Sequence, residues 1–249
     1  MEDIRRWESK FEPCVYSNNL LDKLVLLNKK AKQPIDISEV KKAIYYAKKY
    51  HAEQKRQSGE PYYSHPIEVA ILAAYYSAQE YSEFFRTDII VTSILHDTIE
   101  DTALSKQMIE EIFGCIVANQ VVDLTRITID KKISPAAALN ILFSQNKKDV
   151  LYIKLLDRLH NLKTIGAKST EKQKKIINET LLYFLPFAVY LEMRSIEEEL
   201  INVCHQKLNK FKAPHKEGTI NLMQECFLLN SQEIQNILHS NKKIPQLES

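Results

Sequence analysis

The stretch Asp88-Ile89-Ile90-Val91-Thr92-Ser93-Ile94-Leu95-His96-Asp97-Thr98-Ile99-Glu100-Asp101-Thr102 decides the fold. Ile89, Ile90, Val91, Ile94, Leu95 and Ile99 make it apolar on most sides, the pattern of a buried central helix. Its end nevertheless carries His96, Asp97, Glu100 and Asp101. On one continuous helix His96 and Glu100 lie a turn apart, as do Asp97 and Asp101, so that all four groups converge on one cavity. Three carboxylates do not share a dry pocket in ionised form without a compensating cation. A divalent metal is the economical solution.

A second polar cluster interrupts another apolar helical pattern, in Ile153-Lys154-Leu155-Leu156-Asp157-Arg158-Leu159-His160-Asn161-Leu162, where Asp157 and Asn161 form a further i, i+4 pair. His65 stands just before Pro66 at an expected helix start and is a third candidate ligand. Imidazole and carboxylate together suit manganese, iron, cobalt or zinc better than calcium, which prefers oxygen shells. Each residue alone has a plainer reading, since a lone buried histidine is usually a hydrogen-bonded core residue and Asp157 with Arg158 reads equally as a structural ion pair. His160 is left at that plainer reading, bonding the end of its helix. A histidine, a His-Asp pair and a distant aspartate, all on apolar helices, carry the metal reading together.

The rest of the chain is helical in pattern too. Leu20, Leu24 and Leu27 mark one amphipathic segment, ending near Lys32. Asp36 and Glu39 have capping-box spacing ahead of the stripe Val40, Ile44, Ala47. Residues 52–64 read as a loop, Pro66 suits the first turn of the next helix, and further helices are expected at 106–127, 135–144, 148–164, 171–199 and 231–239. No run of strands is evident. Only 4 glycines occur in 249 residues, against the roughly 17 that ordinary usage would give, which weighs against turn-dense β architectures. The 34 basic and 32 acidic residues leave a net charge of +2, no basis for a nucleic-acid binder driven by phosphate neutralisation. Eight of the 12 tyrosines fall between Tyr45 and Tyr81, and half-buried packing explains them better than base stacking. The longest apolar run, Leu181 to Leu191, has 11 residues, about half a membrane span. Scattered cysteines and a charged N-terminus without a signal-peptide core complete the expectation of a soluble cytoplasmic protein.

Histidine, His-Asp, then a distant aspartate is the order found in HD-domain metal-dependent phosphohydrolases, and the wider wording resembles the alarmone hydrolase domain of the RelA/SpoT family. That family's first motif, His-x-Gly-Gln-x-Arg-x-Ser-Gly-Glu-Pro-Tyr-x-x-His-Pro, corresponds to the segment from His51 to Pro66, with Gln54, Arg56, Ser58, Gly59, Glu60, Pro61, Tyr62 and His65 in place. The second, His-Asp-x-x-Glu-Asp-Thr, runs from His96 to Thr102, and the third, Asp-Arg-Leu-His-Asn-Met-Arg-Thr, from Asp157 to Thr164. Glu179-Thr180-Leu181 through Pro186 is similar to the segment closing the family domain, so the resemblance covers residues 36 to about 200.

The resemblance implies an all-α HD-domain helical bundle that hydrolyses guanosine tetra- and pentaphosphate, (p)ppGpp, to GDP or GTP and pyrophosphate. By motif position His65, His96, Asp97 and Asp157 would hold one manganese ion per chain. Glu100 and Asp101 would orient and deprotonate the attacking water. Arg56 would lie along the guanine, Ser58 near its edge, and Asn161 and Thr164 near the ribose and phosphates. The sequence departs from the pattern at Glu53 (for glycine), Gln57 (where lysine is common) and Lys163 (for arginine, losing the planar fork). None of these is a proposed ligand, and metal binding is therefore the firmer inference. Because the chain ends at Ser249, a hydrolase without a synthetase domain is expected. The expected organisation is a helical arm at 1–35, the hydrolase domain at 36–212 and a peripheral helical tail at 213–249, with the last boundary near Lys212-Ala213-Pro214. The partner expected is the alarmone, with no nucleic acid, membrane or obligate protein. Competing readings are the same metal chemistry on another nucleotide, such as the 2′-phosphate of NADPH, or a non-catalytic nucleotide-binding remnant. The retained ligands and acids count against the latter.

Overall fold

Asp36 starts the helix that organises the first part of the chain. Its carboxylate accepts hydrogen bonds from the backbone N–H groups of Ser38 (2.8 Å) and Glu39 (3.2 Å). The reciprocal half of the expected capping box is replaced. The Asp36 N–H donates to Thr87 Oγ1 instead, and Glu39 pairs with Lys42.

The computed structural model describes residues 6–129 and 134–211, with side chains in 126–129 left aside. They form two units divided between Ser169 and Thr170. The first contains α1 (Trp7–Lys10), α2 (Val15–Asn28), α3 (Ile37–His51), α4 (Ser64–Gln79), α5 (Thr87–Leu95), α6 (Thr98–Asp101), α7 (Lys106–Phe113), α8 (Cys115–Ile129), α9 (Pro135–Ser144) and α10 (Lys148–Lys163). The second contains α11 (Thr170–Glu179), α12 (Leu185–Tyr190) and α13 (Arg194–Asn209). The all-α expectation is borne out. Among the described residues, β-structure is limited to an isolated bridge between Lys55 and Pro61, and no helix is long and apolar enough to cross a membrane. The expected segment at 231–239 and the boundary at Lys212 lie outside the described residues.

α5 is the core of the first unit. Ile89, Ile90, Ile94 and Leu95 are fully buried, and α5 packs on α3, α4 and α8. The stripe Val40, Ile44, Ala47 of α3 faces it, and Leu20 and Leu24 of α2 are equally buried, against α3 and α4. α10 presents Leu151, Leu155, Leu156, Leu159 and Leu162 to the interior and packs on α4, α8 and α9. Arg86 links the beginnings of α5 and α10, reaching Asp88 (2.5 Å) and Asp149 (2.8 Å). Gln120 of α8 joins both carboxylates at 3.2 Å.

Three expected helices are interrupted, each for a local reason. The segment 88–102 breaks at His96-Asp97 because side chains capture its last carbonyls. His96 Nδ1 donates to Ser93 O (2.8 Å) and Thr98 Oγ1 to Leu95 O (2.6 Å). The segment 106–127 breaks at Gly114, whose φ of +84° is costly for any residue with a Cβ. The segment 171–199 widens into a π-turn at Thr180–Phe184, where Pro186 offers no N–H to the carbonyl of Leu182, and turns again at Glu192 (φ +56°).

Candidate active site

Four side chains from three helical segments meet where α4, α5 and α10 pack. His65 comes from the first turn of α4, His96 and Asp97 from the junction between α5 and α6, and Asp157 from the middle of α10. His65 Nε2 lies 3.1 Å from Asp157 Oδ1 and 3.6 Å from Asp97 Oδ2. His96 Nε2 lies 3.1 Å from Asp97 Oδ1 and 3.8 Å from Asp157 Oδ1. Both histidines are buried, and the ligand atoms of His65, His96 and Asp157 all fall within 4.8 Å of one another.

The donor set fits a metal on two counts. His96 Nε2 is buried and, although close to two carboxylates, is aligned with neither, so it forms no hydrogen bond. Its ring partner Nδ1 faces the Ser93 carbonyl, which only accepts, so Nδ1 carries a hydrogen and it is Nε2 that turns a lone pair to the cluster once its own proton is displaced. Burial opposes charge on His96, yet the adjacent Asp97 and Asp157 carboxylates outweigh it and push its pKa up to about 9. Burial likewise disfavours the charged carboxylates. For Asp97 the imidazoles of His96 and His65 reverse the effect, and for Asp157 the His65 hydrogen bond and the Lys154 ammonium do so, holding both well below the usual range. The cluster is thus a fixed anionic pocket that holds a proton until a cation takes its place.

Asp101 borders this pocket through a residue that sequence reasoning passed over. The Tyr62 hydroxyl lies 2.7 Å from Asp101 Oδ2 and 3.0 Å from Asp97 Oδ2, bridging the candidate base and a candidate ligand. Burial, then the two carboxylates, pushes the phenol far above its ordinary pKa, so it remains a hydroxyl. Gln54 donates to the Asp101 carbonyl at 2.7 Å, anchoring the same turn. Glu100, one residue earlier on α6, is exposed. The signal for Tyr62 was present, three residues before His65 in the first motif, but nothing in one dimension says what its hydroxyl touches.

The other expected residues occupy the loop 52–63 and the end of α10. Gly59, at φ +91°, turns the loop back so that the Arg56 N–H donates to Glu60 O. The Arg56 guanidinium donates to Thr164 Oγ1 at 3.0 Å and approaches His160 Nδ1 at 3.5 Å. Ser58 is exposed and bonds Glu60. Asn161 donates to Asp157 Oδ1 at 2.6 Å and so touches a candidate ligand directly. The substitution at Glu53 does not strain the loop, since the positive φ there belongs to Ala52 (+40°).

Residues 43–193 match the HD domain family model. The chain belongs to the HD domain family. The family implies divalent-metal binding, and the His/Asp cluster is where this HD domain offers it. Among curated relatives, the GTP pyrophosphokinase rsh of Brucella abortus is 36% identical over 182 residues, covering 70% of this chain and 23% of its own length. The guanosine-3′,5′-bis(diphosphate) 3′-pyrophosphohydrolase of Aquifex aeolicus is 38% identical over 170 residues, 67% of this chain and 23% of its own. A probable enzyme of the same name from Mycoplasma pneumoniae is 29% identical over 233 residues, 87% of this chain and 31% of its own. The chain thus spans about a quarter of the length of the first two. The resemblance read from the motifs is met by these names. A solved structure described as a metazoan SpoT ortholog that hydrolyses ppGpp shares the fold, with a TM-score of 0.52 at 21% identity over 68% of this chain and 96% of that one.

Proposed function

We propose that this HD domain is a (p)ppGpp hydrolase that removes the 3′-diphosphate as pyrophosphate and leaves GDP or GTP. The observation that supports the reading best is that all three motif segments contribute to one buried His/Asp cluster. The names of the Aquifex and Mycoplasma relatives point the same way.

In this reading His65, His96, Asp97 and Asp157 hold one manganese ion. When bound, such an ion lowers the pKa of a coordinated water and screens phosphoryl oxygens. The protein's own groups do the rest. Asp101, held by Tyr62, accepts the proton of the attacking water, with Glu100 beside it on the exposed rim. Water attacks the phosphorus bonded to the 3′ oxygen, the bond from that oxygen to phosphorus breaks, pyrophosphate leaves, and the 3′ oxygen takes up a proton to become the ribose hydroxyl. Asn161 steadies Asp157 while Arg56, held by Thr164 Oγ1, offers its guanidinium donors to the nucleotide. Ser58 stands on the loop at the base-recognition side. The hydrolase segment of this reading is residues 36–212, with α2 of the preceding segment packed on α3 and α4, and the setting is cytoplasmic.

The deciding experiment is hydrolysis by purified, manganese-loaded protein of guanosine tetraphosphate, GTP, NADPH and dNTPs in parallel. Pyrophosphate and GDP from the tetraphosphate, against little from the others, is the expected result. Preferred release of phosphate from NADPH would replace the substrate assignment, and inactivity toward all would leave a binding domain.

A further inference from the structure

We propose that His160 is a positioning residue of the metal centre: its Nδ1 accepts a hydrogen bond from His65 and so turns the His65 Nε2 lone pair onto the metal. This rests on the ligand assignment made above. The two Nδ1 atoms are 2.7 Å apart, with ring centroids at 4.8 Å and planes tilted by 34°. At that separation one hydrogen lies between the nitrogens, and the question is which ring supplies it.

Arg56 answers the question. A guanidinium has donors only, and its Nη1 lies 3.5 Å from the same His160 Nδ1 while Nη2 is fixed on Thr164 Oγ1 at 3.0 Å. With a guanidinium that can only donate turned toward it, His160 Nδ1 acts as the acceptor. His65 Nδ1 carries the hydrogen. Its Nε2, which shares a hydrogen with Asp157 Oδ1 at 3.1 Å in the metal-free cluster and lies 3.6 Å from Asp97 Oδ2, is then the nitrogen that can turn a lone pair to a cation once that hydrogen is displaced.

The second imidazole of the cluster has the same support in a different form. His96 Nδ1 donates to the Ser93 carbonyl at 2.8 Å. Each candidate imidazole ligand is therefore backed by an acceptor, a main-chain carbonyl for His96 and a side chain for His65. Such outer partners fix the tautomer and ring orientation, and their loss typically costs about 10–100-fold in metal affinity. His160 also lies three residues after Asp157 on α10, so the helix that supplies one ligand orients another.

The test is manganese titration by calorimetry into metal-free wild type, His160→Asn, His160→Gln and His65→Ala, each checked by thermal melting. Asparagine places its amide oxygen near the position of Nδ1, whereas glutamine carries it one bond too far. His160→Asn is expected to bind manganese nearly as wild type and His160→Gln about 10–100-fold more weakly, with similar melting of the metal-free proteins. Equal affinities in Asn and Gln variants overturn the positioning role while a weakened His65→Ala leaves the ligand assignment standing. Unchanged binding by His65→Ala overturns that assignment and the proposal with it. A second measurement does not depend on the variants folding. In wild type carrying 15N-histidine and loaded with diamagnetic zinc, the His65 Nδ1 proton should appear as a hydrogen-bonded resonance coupled to His160 Nδ1, and a His65 ring lacking that proton overturns the proposal.

Discussion

Asp88 and Asp149 share the guanidinium of Arg86, and each lies eight residues before a candidate ligand, His96 and Asp157 respectively. Eight residues of helix advance about 12 Å. The two segments leave the Arg86 clamp in the same sense and bring His96 Nε2 and Asp157 Oδ1 to 3.8 Å of one another. The clamp thus ties the starts of α5 and α10 together eight residues upstream of these two ligands.

Arg86→Leu should lower the free energy of unfolding by about 2 kcal/mol, the scale of hydrogen bonds to charged groups. Urea denaturation of metal-free protein measures it. Stability equal to wild type would show that the clamp adds nothing to the apolar packing around α5 and α10.

His96→Ala and Asp157→Ala are expected to lose both bound manganese and hydrolysis. His96 leaves a buried, unpartnered Nε2, and Asp157 Oδ1 approaches both imidazoles. Metal analysis of dialysed protein decides, and full occupancy in either variant would remove that residue from the ligand set.

Asp101→Asn and Glu100→Gln should keep manganese and nucleotide affinity while turnover falls by roughly 10²-fold or more, the lower end of general-base contributions. Tyr62→Phe removes the hydroxyl bridging Asp97 and Asp101. It should reduce turnover by about tenfold, the equivalent of one hydrogen bond to a charged group, with little change in metal content. Metal, affinity and turnover measured on the same preparations separate the roles. Loss of metal in the acid variants would make those residues ligands.

Metal binding should release protons. In the metal-free protein, against burial, the Asp97 and Asp157 carboxylates push His96 up to about 9, which favours its protonated form at neutral pH, and that form must lose its Nε2 hydrogen to become a ligand. Manganese affinity is expected to rise with pH towards about 9 and then level off as far as His96 is concerned. Calorimetry in two buffers of different ionisation enthalpy counts the protons, and identical heats at pH 7 would contradict it. The sign for folding is opposite. A raised pKa makes the His96 contribution complete below its unfolded value of 6.5 and removes it as pH climbs through about 9, so apo stability should decline over that window.

What the sequence determined alone was whatever lies within a few turns of a helix. The stripe Val40, Ile44, Ala47, the apolar run from Ile89 to Leu95 and the i, i+4 pair of Asp157 and Asn161 follow from a period of 3.6, which is set by local backbone geometry. The ordered motifs named the four side chains that meet in the pocket, His65, His96, Asp97 and Asp157, but gave no role to Tyr62 or His160 beside them. Only the tertiary structure decided what those residues do to one another. The break at His96-Asp97 depends on two side chains capturing carbonyls, a choice that a continuous apolar pattern conceals. The Tyr62 bridge spans 35 residues to Asp97, and the His65–His160 contact spans 95. A hydrogen bond needs its atoms placed to a fraction of an ångström and its rotamers fixed, and that placement comes from the packing of α4, α5 and α10. Periodicity records which face of a helix is buried, but the sequence carries no record of the rotamer that points a buried imidazole at its neighbour.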